Sequence, residues 1–168
     1  MGAAAARKAA GLGFEVVCYS RSLEPNSTTA EGYATLPLDE LLATSDVISV
    51  HTALTPQTYH LIDEHAISLM KPSAIVVNTS RGAVVDTIAL ARALENNALW
   101  GAGLDVFEGE PLDPGHPIAK APHTVLTPHA AYWSEESGIE LRTRTCQAAI
   151  DVLCGVQPRD CLNPQVLQ

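Results

Sequence analysis

Three stretches in fixed order decide how this chain folds: Ala74-Ile75-Val76-Val77-Asn78-Thr79-Ser80-Arg81-Gly82, Leu104-Asp105-Val106-Phe107-Glu108-Gly109-Glu110-Pro111 and Thr124-Val125-Leu126-Thr127-Pro128-His129. Each begins in or follows a short apolar run and then turns polar. The runs are too short for core helices and fit strands buried on both faces. An arginine, a glutamate and a histidine therefore stand just past three strand ends. A guanidinium fork can hold a carboxylate through two bonds and polarise a neighbouring carbonyl oxygen. An imidazole beside a carboxylate can pass a proton near neutral pH.

Working outward, strand-like and helical patterns alternate. Residues 2–10 are alanine-rich and helical, and Gly11-Leu12-Gly13 reads as the helix stop. Phe14 to Tyr19 is rich in β-formers, and Pro37 to Thr44 sets Leu38, Leu41 and Leu42 on one helical face. Val47-Ile48-Ser49-Val50 is a buried strand within Asp46–His51. The pattern predicts a helix over Ile62–Met70, stopped by Lys71-Pro72, and an amphipathic helix over Asp86–Asn97. Trp100 to Val106 and Thr124 to Leu126 are the last strands. Ser134 to Leu153 is a long helix with Ser134 as its cap and Glu135 and Glu136 in its first turn. Short apolar strands alternating with helices imply an α/β fold, a Rossmann-type, doubly wound parallel sheet. Ligands in such sheets bind beyond the carboxyl ends of the strands, where Arg81, Glu110 and His129 fall.

Composition excludes several classes. The 168 residues are 46% hydrophobic and 17% charged, as in a globular chain. A net charge of −9 without a basic run argues against nucleic acid and anionic membranes as partners. No apolar run is long enough to span a membrane. Arg7 and Lys8 follow the alanine-rich segment rather than precede it, the wrong order for a signal peptide. The four cysteines have no metal-ligand spacing, and no metal site is expected. Reduced thiols fit a cytoplasmic protein. Asn26-Ser27-Thr28 is then a chance match to a glycosylation acceptor.

The three motifs in series resemble the D-2-hydroxyacid dehydrogenase family, over residues 1 to about 165. The resemblance implies hydride transfer between NAD(P)H and a small 2-oxo acid, giving the 2-hydroxy acid. It implies Arg81, Glu110 and His129 as the catalytic residues: Arg81 holds substrate, His129 moves the proton and Glu110 supports His129. Glu110 is selected over Glu108 because the family's carboxylate directly precedes a proline. His116 and His123 read as ordinary loop histidines. In the family the position of Asp105 contacts the nicotinamide side of the cofactor, Thr52, Thr58 and Thr79 fall where it lines the cofactor cleft, and the resemblance counts His129 among the cofactor-binding residues as well.

The dinucleotide fingerprint, Gly-x-Gly-x-x-Gly between a strand and a helix, is not found in the chain. Gly11-x-Gly13 follows a helix and Gly101-x-Gly103 lies inside a strand, the wrong contexts. By position Gly2 resembles the fingerprint's third glycine. The expectation is an N-terminally truncated cofactor domain over 1–133 that lacks its first, central strand. Residues 134–168 then form a C-terminal helix and tail that belong with an otherwise absent substrate domain. Two strands should be left as edges, and the chain alone should be a poor catalyst.

After the second strand, NAD-specific relatives place an acidic residue where this chain has Ser20, with Arg21 next. A hydroxyl and a guanidinium suit a 2′-phosphate, so NADP is favoured over NAD. His129-Ala130-Ala131-Tyr132-Trp133 resembles the C-terminal-binding-protein-like branch, with Tyr132 where a tryptophan is expected. Ala53 stands where many relatives have proline. That branch contains nucleotide-sensing corepressors, which leaves open a dinucleotide-sensing interaction module, as well as an inactive gene fragment. Relatives pair through their cofactor domains, implying a homodimer around residues 83–105.

Overall fold

The computed structural model describes residues 1–167, so Gln168, the end of the expected C-terminal segment, lies outside the described residues. Two compact units are formed, Met1–His129 and the segment from Ala130 on.

The first unit alternates helices and strands: α1 (Gly2–Gly11), β1 (Val17–Cys18), β2 (Ala34–Thr35), α2 (Leu38–Thr44), β3 (Val47–Val50), α3 (Glu64–Ser68), β4 (Ile75–Asn78), α4 (Thr87–Glu95), β5 (Gly101–Leu104) and β6 (Thr124–Leu126). All pairings are parallel, with β3-β4-β5-β6 in one sheet and β1-β2 in another. This is the expected Rossmann-like α/β architecture. β1 and β3 do not pair with each other, so each is an edge.

Register sets the site. Val50 lies opposite Asn78, Asn78 opposite Leu104, and Leu104 opposite Leu126. Four strands therefore end level, and the residues following them share one rim. Beneath that rim Leu42, Val76, Leu90, Leu94, Leu104 and Ile118 are almost fully buried. α4 supplies a whole face to this core, from Ala89 to Leu94. Its first turn is fixed by Asp86, whose side chain accepts bonds from the N–H groups of Ile88 and Ala89.

Several boundaries differ from the sequence reading. α3 is five residues, not nine, because Asp63 caps it through the Ala66 N–H and Ile62 is held in an extended bridge to Val85. β2 has only two residues, too few for any periodic signal. β5 is shorter than the apolar run around it, because past Leu104 the ladder gives out: the Asp105 N–H still reaches the Asn78 carbonyl at the end of β4, but the Asp105 carbonyl accepts from the His129 N–H in the loop after β6. The α1 stop is as expected, with Gly13 at φ +91°, a conformation that suits glycine.

The second unit contains α5 (Glu135–Leu153) and a short 3₁₀ turn over Pro164–Leu167. Ser134 caps α5, and Ser137 answers it in a capping box. No helix among the described residues is long and apolar enough to cross a membrane.

Candidate active site

Asn78, the last residue of β4, is fully buried. Its amide donates to the Arg81 carbonyl at 2.9 Å, and its side-chain oxygen accepts from the Ser80 N–H and hydroxyl. One side chain thus clips the four-residue turn that presents Arg81. The Arg81 guanidinium is exposed and donates to the Ser80 carbonyl at 2.6 Å.

Gly82 brings this turn against the loop after β5. A Cβ at Gly82 would stand 1.9 Å from the Phe107 carbonyl carbon and 2.4 Å from the Glu108 nitrogen. No L side chain fits that approach, so glycine here is a packing requirement.

The β5 and β6 loops are tied at Asp105, which is 4% exposed. Its carbonyl accepts the His129 N–H at 2.8 Å, and its carboxylate accepts the Thr127 hydroxyl at 2.5 Å. His129 adopts φ +54°, a region that histidine tolerates better than most residues. Its Nδ1 lies 2.7 Å from Glu110 Oε2, while Glu110 Oε1 accepts the Phe107 N–H at 3.0 Å. The bonds from His129 and from the Phe107 backbone hold the Glu110 carboxyl below its ordinary range.

Arg81, Glu110 and His129, expected together, do line one cleft of about 350 Å³ with Leu54, Phe107 and Glu108. A cleft of about 340 Å³ lined by apolar Leu112, Leu126 and Pro128 also touches Glu110 and His129.

The expected cofactor residues fall around the same rim with different freedom. Gly2 opens α1, and a Cβ there would meet His51, just beyond β3, at 3.4 Å. Thr52 and Thr79 are half-buried at strand ends. Thr58 is only 1% exposed, its hydroxyl donating to the Ala53 carbonyl and accepting the Thr55 N–H, both at 2.7 Å. That hydroxyl is committed to the turn, so Thr58 shapes the rim instead of presenting a bonding group. Ser20 bonds the Ser22 hydroxyl at 3.0 Å, with Arg21 exposed beside it. Among the described residues no metal-holding cluster of His, Cys, Asp or Glu occurs.

Residues 1–131 match the family of D-isomer specific 2-hydroxyacid dehydrogenases, NAD binding domain. The chain belongs to this family. It is 40% identical to the glyoxylate reductase of Korarchaeum cryptofilum, over all of this chain and 51% of that protein. A protein structure from Thermus thermophilus superposes with a TM-score of 0.85 at 40% identity, covering 94% of this chain and 49% of the other. The Aquifex aeolicus D-lactate dehydrogenase, solved with NAD and lactic acid, gives 0.81 at 35% identity, over 92% and 50%. The chain thus spans about half the length of the dehydrogenases it matches. Its sheet, helices and rim are those of a nicotinamide-dinucleotide-binding domain.

The sequence reading passed over four residues at this site. Asn78 and Thr127 lay inside quoted motifs, but their roles are contacts made by folding. Glu108, set aside in favour of Glu110, lines the cleft and bonds His60 at 3.0 Å. His60 sits in a loop with no local signal. His116 and His123 are structural: His116 accepts the Ile118 N–H and His123 stacks on Trp100.

Proposed function

We propose that this dehydrogenase-family chain is the cofactor domain of an NADP-preferring reductase of small 2-oxo acids, glyoxylate first among them. The observation that carries the reading is the cleft in which Arg81 stands with the bonded pair His129–Glu110. Arg81 binds the substrate carboxylate and polarises the keto oxygen. Glu110 fixes the tautomer and orientation of His129 and favours its charged form. His129 gives a proton to the keto oxygen at Nε2 as the C2 carbon receives hydride, and takes it back in the reverse direction. When bound, a nicotinamide cofactor would supply that hydride. Gly2 at the start of α1, with Thr52, Thr79 and Asp105 along the strand ends, would hold the cofactor, and Thr58 supports the turn beside them. Ser20 and Arg21 fit a ribose 2′-phosphate, because the turn carries a cation and no carboxylate. Residues 134–168 pack with a substrate domain, and the active form is a homodimer built around residues 83–105, where Trp100 is 57% exposed. Four free cysteines fit a cytoplasmic setting.

The test places this chain in the glyoxylate reductase of Korarchaeum cryptofilum in exchange for the half it matches. Glyoxylate reduction is then followed with NADPH and NADH. Turnover with an NADPH preference of about tenfold, the size of one charge-assisted hydrogen bond, is expected. Arg21→Ala removes the preference. No turnover with glyoxylate, pyruvate or hydroxypyruvate overturns the enzymatic reading. Equal use of both cofactors overturns the NADP part alone.

A further inference from the structure

The active-site cleft holds one guanidinium and two carboxylates, yet among the described residues Arg81 pairs with neither. Two acids lining a cleft with an exposed cation are attracted to it, weakly where water screens them, and nothing but their other bonds keeps them apart. Each is instead tied to a histidine, Glu110 to His129 at 2.7 Å and Glu108 to His60 at 3.0 Å. The second tie has no part in the proposed chemistry, but it is firmly built. The His60 N–H donates to the Ala83 carbonyl at 2.8 Å, one residue past Gly82. Its ring stacks on Tyr59 at 4.0 Å, and its Nδ1 lies 3.9 Å from Asp86. Asp86 is itself fixed by capping α4.

We propose that His60 is a positioning residue: it restrains Glu108 so that Arg81 stays available to an incoming carboxylate. The inference rests on the reading of Arg81 as the substrate's anchor. In this arrangement His60 touches neither substrate nor cofactor. It acts through Glu108, and its loss matters only while Glu108 carries charge. Asn is the informative replacement, because it tolerates the φ of +48° found at His60.

The test uses the Korarchaeum cryptofilum glyoxylate reductase carrying this chain in place of the half it matches, saturated with NADPH, with oxamate as a stable, singly charged mimic of a 2-oxo acid. Backbone amide shifts of residues 79–83 in NMR titrations report binding. His60→Asn should weaken oxamate binding about tenfold, within the range of couplings between neighbouring charged groups. Glu108→Gln should bind as well as the parent or better. The double variant His60→Asn/Glu108→Gln should recover the parent affinity, which a purely structural role for His60 would not allow. A double variant as weak as His60→Asn, or a His60→Asn chain that binds normally, overturns the proposal. If Arg81→Gln binds oxamate as well as the parent, or the parent does not bind it, Arg81 is not the anchor and both readings fall.

Discussion

The two histidine–glutamate pairs of the cleft look alike and sit in different places. Both histidines have left-handed backbones, φ +54° at His129 and +48° at His60, and both hold a glutamate at hydrogen-bond distance. His129 ends the β6 motif, and its own N–H is fastened to Asp105. One carboxylate contacts its Nδ1, and a backbone N–H restrains that carboxylate in turn. His60 lies between two carboxylates, Glu108 at one ring nitrogen and Asp86 at the other. On the reading proposed above, the first arrangement orients an imidazole for proton transfer and the second uses an imidazole as a fastener. Identical side chains have different neighbours here, so geometry and not residue type separates the two proposed roles.

The comparison breaks most sharply on turnover. His129→Asn, which keeps the left-handed backbone accessible, should lower kcat by about 10²–10⁴-fold and leave cofactor affinity unchanged. His60→Asn should raise KM with kcat near the parent value. Steady-state kinetics and cofactor titration on both variants check this, and equal losses of kcat would erase the distinction.

Arg81 lines the same cleft as both glutamates, and its removal should act on both parameters. Arg81→Ala should raise KM and lower kcat together, with kcat/KM down about a hundredfold, because a charge-assisted hydrogen bond is lost in both the bound and reacting states. A change confined to KM would mean that the guanidinium binds without polarising.

Gly82→Ala tests whether the pairs share one support. The added Cβ meets the Phe107 carbonyl carbon at 1.9 Å, so the 78–82 turn and the 105–110 loop must separate. A loss of about 2 kcal/mol in urea unfolding is expected, with weaker oxamate binding than in the parent. Parent-like stability would show that the two loops part without strain.

The smallest effect is on acid stability. The Glu110 carboxyl is held low by His129 and by the Phe107 N–H, so its folded value lies below its unfolded one. A group of that kind stabilises the fold above its unfolded value, and the contribution is lost as pH falls through the folded value. Glu110→Gln should therefore lower Tm slightly near pH 7, with the gap closing in acid, as thermal melts across that range would record. A gap that widens in acid contradicts the pairing. Glu108→Gln is the matched control for the other pair.

Much of this was legible in the sequence. Apolar runs of strand length marked out β3, β4, β5 and β6, and the placement of Arg81, Glu110 and His129 at strand ends followed from period and motif alone. Ser134 as a cap was readable because capping is local, one side chain reaching three residues ahead. The two-residue strands were not, since β2 exists only through its pairing to β1. The length of α3 was missed because Ile62 is claimed by a bridge to Val85, twenty-three positions away in the chain. Thr58 reads as one more cleft threonine until its hydroxyl is found buried within its own turn.

The alternation of elements, the family and the order of Arg81, Glu110 and His129 along the chain are all written in consecutive residues. They depend on side-chain periodicity and short spacings, which need no folded molecule to be read. Folding alone settled which carboxylate each imidazole holds, that Gly82 must be glycine, and that Arg81 is left unpaired by two nearby acids. Those facts come from loops far apart in the chain meeting over level strand ends. The contacts between them turn on distances of about a few tenths of an ångström, which no local pattern encodes.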